Sequence, residues 1–126
     1  MIDDYFQALL AVIAESRIVR SSNVDFDRRG RFEGVVRGNL YFADDSLLHL
    51  REFVNVEGGI EYLMYAYHYQ QADGMLVFRY DDTPHYPDLP TFPHHKHVGS
   101  ENNVIAAERP DLQAVLNEIE NLVTEG

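Results

Sequence analysis

Leu47-Leu48-His49-Leu50-Arg51-Glu52-Phe53-Val54-Asn55-Val56 is the stretch that decides the fold, because apolar residues recur along it at alternate positions. A period of two sends neighbours to opposite faces of a pleated strand, so Leu48, Leu50, Val54 and Val56 define one buried face. Glu52 shares that face. Burying a lone carboxylate costs on the order of several kcal/mol, so Glu52 needs a partner, a proton or a cavity, and Arg37 or Arg79 are the expected partners. The next run repeats the alternation with larger groups: Tyr65, Tyr67 and Tyr69 on one face, Met64, Ala66 and His68 on the other. Such a row either packs as a sheet face or floors a cleft, where Tyr65 and Tyr67 would offer hydroxyl donors to a substrate.

Working outward, turn signals at Arg28–Gly30, Asp44–Ser46, Glu57–Gly59 and Ala72–Gly74 divide the middle of the chain into strands at 17–27, 31–42, 47–56, 60–70 and 75–81. Connections this short favour consecutive antiparallel hairpins. Before the strands, Tyr5, Phe6, Leu9, Leu10, Val12 and Ile13 recur near a helical period behind Asp3 and Asp4, acids that suit a helix N-terminus. After them, Pro110 or Asp111 opens a second helix whose stripe is Leu112, Val115, Leu116, Ile119, Leu122 and Val123. Two apolar stripes need a common surface, so the expectation is an α+β fold: a five-stranded antiparallel meander with the N- and C-terminal helices packed on one face. The 126 residues read as a single domain, 1–126, with 45% hydrophobic and 12% aromatic content that argues against disorder.

The formal charge of −11 works against broad electrostatic attachment to nucleic acid or to an anionic membrane, so any such binding must be local. The absence of cysteine removes disulfides, thiolate ligands and thiol nucleophiles. With no basic n-region after Met1 and no long apolar run, a cytoplasmic location without membrane contact is expected.

Four of the six histidines and the only lysine fall within residues 85–97, in and around Phe92-Pro93-His94-His95-Lys96-His97. Pro84, Pro87, Pro90 and Pro93 prevent ordinary ladder pairing there, so this stretch is expected to be a loop beyond the sheet rim. Imidazoles transfer protons near neutral pH or ligate metals, and an ammonium beside them suits a phosphate or oxyanion. Arg79 and Asp81, on one strand face, are either an ion pair or part of the same site. The candidate catalytic set is His85, His94, His95, Lys96, His97, Arg79, Asp81 and Glu52, converging in one cleft.

The run from Phe78-Arg79-Tyr80-Asp81-Asp82-Thr83-Pro84-His85-Tyr86-Pro87 to Thr91-Phe92-Pro93-His94-His95-Lys96-His97 resembles the TumE family of toxins from toxin–antitoxin modules. The strand with Leu48, Leu50 and Glu52 and the tyrosine strand are similar to that family too. Asp82 and Tyr86 depart from a pattern in which an asparagine and a second histidine are common. The resemblance implies a toxin with a cognate DNA-binding antitoxin as partner; it fixes neither target nor reaction. Chemistry leaves two enzymatic readings open. In one, a metal-independent ribonuclease or other phosphate-directed enzyme uses histidines for proton transfer, with Lys96 and Arg79 on the phosphate of an RNA or nucleotide substrate, and needs no cofactor. In the other, His85, His94, His95 or His97, with Asp81 or Glu52, hold a divalent metal such as zinc for hydrolysis. A non-catalytic protein-binding module, alone or as a homo-oligomer, is the third reading.

Overall fold

The computed structural model describes residues 1–125. Helix α1 (Ile2–Glu15) is followed by strands β1 (Val19–Arg28), β2 (Glu33–Phe42), β3 (Leu47–Asn55), β4 (Glu61–Gln70), β5 (Leu76–Asp81), β6 (His95–Val98) and β7 (Val104–Ala106), then helix α2 (Leu112–Glu125). The strands form one antiparallel sheet in sequential order, β1 to β7.

Alternation fixes which face is buried. Leu48, Leu50 and Val54 of β3 and Tyr65, Tyr67 and Tyr69 of β4 lie in the core with the stripes of both helices. From α1, Ile2, Tyr5, Phe6, Leu9 and Ile13 are buried, whereas Leu10 projects outward. Gly34 admits this helix: a Cβ there would lie 2.5 Å from Phe6 Cζ. Asp111 caps α2, its backbone carbonyl accepting from Val115 N and its side chain accepting from Ala114 N at 2.9 Å. Leu112, Val115, Leu116 and Ile119 reach the core, while Leu122 and Val123 at the helix end stay exposed. Each fully buried side chain of these stripes stabilises the fold by about 1.5–3 kcal/mol.

The sheet has seven strands rather than five. The proline-rich segment leaves β5, as its composition requires, but the chain returns to pair His97 with Arg79 and His95 with Asp81. Thr91 holds the excursion in place, donating through Oγ1 to the His94 carbonyl at 2.6 Å and accepting from Ala107 N at 3.1 Å. His95, Lys96 and His97 therefore sit on β6, whereas His85 and His94 stay in the loop before it. Strands of four and three residues are too short to show a periodicity, and histidine and lysine disguise the alternation.

Candidate functional site

With both helices on one side, the other side of the sheet is open, and its register aligns two rows of polar side chains across neighbouring strands. One row runs Arg37, Arg51, Ala66, Asp81, His95; the other runs Asn39, His49, His68, Arg79, His97. At about 4.8 Å per strand, each row spans about 19 Å. The rows end at β5 and β6 in a cleft of about 490 Å³, whose lining includes Arg51, Arg79, Asp81, His85, Tyr86, His97 and Glu101. A shallower groove lined by Asn39, His49 and His68 shares Arg51, Ala66 and Arg79 with that cleft, so the two are continuous.

The innermost cluster is Asp81, His95 and His97, all buried. Asp81 Oδ1 accepts from Thr83 N at 3.1 Å and Thr83 Oγ1 at 2.7 Å, and Oδ2 accepts from Arg79 Nε at 2.9 Å. Burial alone would raise the Asp81 carboxyl, but these donors and the neighbouring His95 hold it below the usual carboxylate range. His95 Nδ1 lies 3.0 Å from the Pro93 carbonyl and His97 Nδ1 lies 2.8 Å from the Glu101 carbonyl. A carbonyl only accepts, so each Nδ1 carries a proton and donates. The Nε2 atoms are thereby turned towards the carboxylate: His95 Nε2 is 2.9 Å from Asp81 Oδ1 and His97 Nε2 is 3.7 Å from Asp81 Oδ2. The His95 approach lacks hydrogen-bond alignment, so that buried nitrogen has no hydrogen-bond partner among the described residues. His97 Nε2 faces Arg79 Nη2 at 3.1 Å. Tyr86 covers both imidazoles edge-on, its ring 4.9 Å from that of His95.

Arg79 is held twice, by Asp81 and by a bidentate pair with Glu101 in which both contacts are 2.6 Å. Glu101 is exposed, and Arg79 lowers its carboxyl below the usual range. His85 also lines the cleft but is exposed, and its imidazole makes no hydrogen bond with any described residue. It differs in this from His97, both of whose nitrogens are engaged, and from His95, whose Nδ1 is.

The remaining candidates lie elsewhere. Lys96, opposite in parity to its neighbours, points to the helix side, where Nζ donates to Glu118 Oε2 at 2.6 Å and lies over the rings of Phe78 and Tyr80. His94 stacks on Tyr65, whose hydroxyl is 2.9 Å from its Nδ1. Glu52 is buried beneath α1, accepting from the hydroxyls of Tyr5 and Tyr67. Burial raises its carboxyl, against the opposing pull of the tyrosine bonds and Arg109. Its partners are thus tyrosines rather than Arg37 or Arg79, and the expected convergence of Glu52 and Lys96 with the Asp81 cluster does not occur, while His94 stays outside that cluster against Tyr65, which borders the cleft. Tyr67 accordingly packs as part of the sheet face, and Tyr65, in the same buried row, also borders the cleft. Of the imidazoles expected around a metal, only His95 and His97 share one face with Asp81.

Thr83, Tyr86, Glu101 and the Arg37, Arg51, His49 and His68 rows escaped sequence reasoning. The signal for the rows was present as polar pairs spaced by two: 37 and 39, 49 and 51, 79 and 81, 95 and 97.

Fold and cluster together define a small α+β protein with a polar cleft at one end of an open sheet face. No described helix is long and apolar enough to cross a membrane. The sequence profile of the family described as Toxin TumE matches residues 9–123, so the chain belongs to the TumE toxin family. It is therefore the toxin component of a toxin–antitoxin system, with a cognate antitoxin as its partner. No curated protein and no solved structure gives a significant match.

Proposed function

We propose that this toxin acts on RNA, cleaving a phosphodiester bond of a single strand laid across the open sheet face. The observation that carries the reading is the charge pattern of that face. The chain holds twenty-one acids, yet β2, β3 and β4 contain only Glu33, Glu52 and Glu61. Glu33 and Glu61 sit at strand ends and Glu52 faces the helices, which leaves the middle of β2, β3 and β4 free of carboxylates on this face in an acidic protein, with Asp25 of the edge strand β1 opposite Arg37 in the register. Arg37 and Arg51, both exposed, form no ion pair with a described residue. Two unpaired guanidiniums beside Arg79 supply local phosphate contacts despite the net charge, and Phe53, on the same open side, offers a ring to a base.

In the reaction, Arg51 and Arg79 neutralise the phosphate at the cleft, with Glu101 giving way to it on Arg79. His85, the exposed imidazole, takes the proton of the 2′-hydroxyl, whose oxygen attacks phosphorus. The bond to the 5′-oxygen breaks, and that oxygen takes its proton from water in the open cleft, because the imidazole protons of His95 and His97 are committed to the Pro93 and Glu101 carbonyls. Lys96, turned to the helices, has no part in the chemistry. The partner antitoxin is expected to be a DNA-binding protein.

Induction of the chain without its antitoxin tests this reading. Growth arrest accompanied by RNA fragmentation, both relieved by His85→Ala in a protein that remains folded, is the expected result. Arrest with intact RNA would move the reaction elsewhere.

A further inference from the structure

We infer that Asp81, His95 and His97 form a binding site for a divalent transition-metal ion, with zinc the first choice for two imidazoles and a carboxylate. Their candidate ligand atoms all lie within 4.8 Å of one another. Two donors on one tetrahedral zinc, each about 2.0–2.2 Å from the ion, stand about 3.3 Å apart. His95 Nε2 lies 2.9 Å from Asp81 Oδ1 and His97 Nε2 lies 3.7 Å from Oδ2, one imidazole at each oxygen, so the ion would sit between the imidazoles and a carboxylate that turns one oxygen to it.

The tautomers point the same way. Metal-bound imidazoles usually donate their other N–H to a carbonyl or carboxylate, which aims the free lone pair at the ion. Both histidines do so, through the Pro93 and Glu101 carbonyls at 3.0 Å and 2.8 Å. With neither a metal ion nor a proton on Nε2, the lone pair of His95 faces a carboxylate oxygen at 2.9 Å, buried and without a hydrogen-bond partner among the described residues. Leaving a buried polar atom in that state is unfavourable, and an ion between the two groups removes the conflict.

Arg79 is the opposing group, since Nη2 is 3.1 Å from His97 Nε2. It is part-exposed beside the cleft and already bidentate to Glu101, so it keeps that carboxylate as a partner when His97 turns to the ion. Three protein ligands leave a fourth position open for water, facing the cleft. This donor set replaces the looser grouping of His85, His94, His95 and His97, because His94 is committed to Tyr65 and His85 is exposed at the cleft mouth.

Binding of the ion stands or falls independently of RNA cleavage, because the readout is the metal itself. Chain stripped with EDTA is titrated with zinc by calorimetry, and metal content is measured after gel filtration. One ion per chain is expected, with affinity at least about tenfold weaker in Asp81→Asn and His95→Ala, and retained in His49→Ala, which removes an imidazole of the open face. Long-range ¹H–¹⁵N spectra of the wild-type imidazoles keep the test decisive if a variant fails to fold. Zinc should shift Nε2 of His95 and His97 and leave the other histidines in place. Folded wild-type chain that takes up no stoichiometric zinc overturns the inference, as does binding that shifts other imidazoles instead.

Discussion

Arg37→Ala combined with Arg51→Ala removes the two unpaired guanidiniums that face each other in one row of the open sheet face. For a single strand, each neutralised phosphate contributes about 0.7 to the slope of log K against log salt. Three contacts, at Arg37, Arg51 and Arg79, give the wild-type face a slope of about −2, and the double variant should retain about −0.7. If these contacts vanish near 1 M salt, the lost slope of about 1.4 makes RNA binding about 25-fold weaker at 0.1 M. Fluorescence anisotropy with a labelled single-stranded RNA, over a salt series and in a His85→Ala background to suppress cleavage, reads both quantities. Arg28→Ala with Arg29→Ala is the control, because those arginines pair with Asp3 and Asp27. An unchanged slope in the Arg37 and Arg51 variant, or an equal drop in the control, would refute the assignment of this face to RNA.

Glu101→Ala frees Arg79 from its bidentate partner, and an exposed pair of this kind is worth about 0.2–1 kcal/mol, so RNA binding should tighten by about 1.4- to 5-fold in the same assay. Glu52 predicts a pH dependence of stability. Its carboxyl is raised in the folded state, so the folded chain holds that proton more tightly than the unfolded one. Its contribution is fully present below the unfolded value of about 4.3 and is lost as pH rises through the raised folded value. Urea unfolding from about pH 4 to 8 should show the difference between wild type and Glu52→Gln drifting against the wild type as pH rises. A flat difference would mean Glu52 is not raised.

The legible part of the fold was the part written in alternation. β1 to β5 and both helices lie within a few residues of their expected bounds, because runs of about ten residues repeat a period often enough to show it. β6 and β7 were hidden, since three or four residues cannot carry a period and four nearby prolines argue for a loop. The site was legible as a neighbourhood, not as a geometry. Arg79, Asp81, His85 and His97 line one cleft, with His95 buried against Asp81, but Lys96 and His94 are adjacent in sequence and opposite in parity, which only pairing on β6 reveals. Glu52 was correctly singled out as a buried acid needing partners, yet Tyr5 comes from a helix whose docking no strand pattern specifies. The open-face rows required the register of β2 through β6, which depends on long-range pairing.

The most direct test of the central claim is cleavage of end-labelled single-stranded RNA by the purified chain, with and without added zinc. The account predicts discrete fragments from RNA and none from the matching DNA, which lacks the 2′-hydroxyl nucleophile. It also predicts a rate about 10²–10⁴-fold lower in His85→Ala at unchanged thermal stability. Folded wild-type chain that leaves RNA intact under both conditions, while still binding its antitoxin tightly, would contradict it and mark the cleft as a protein-binding surface.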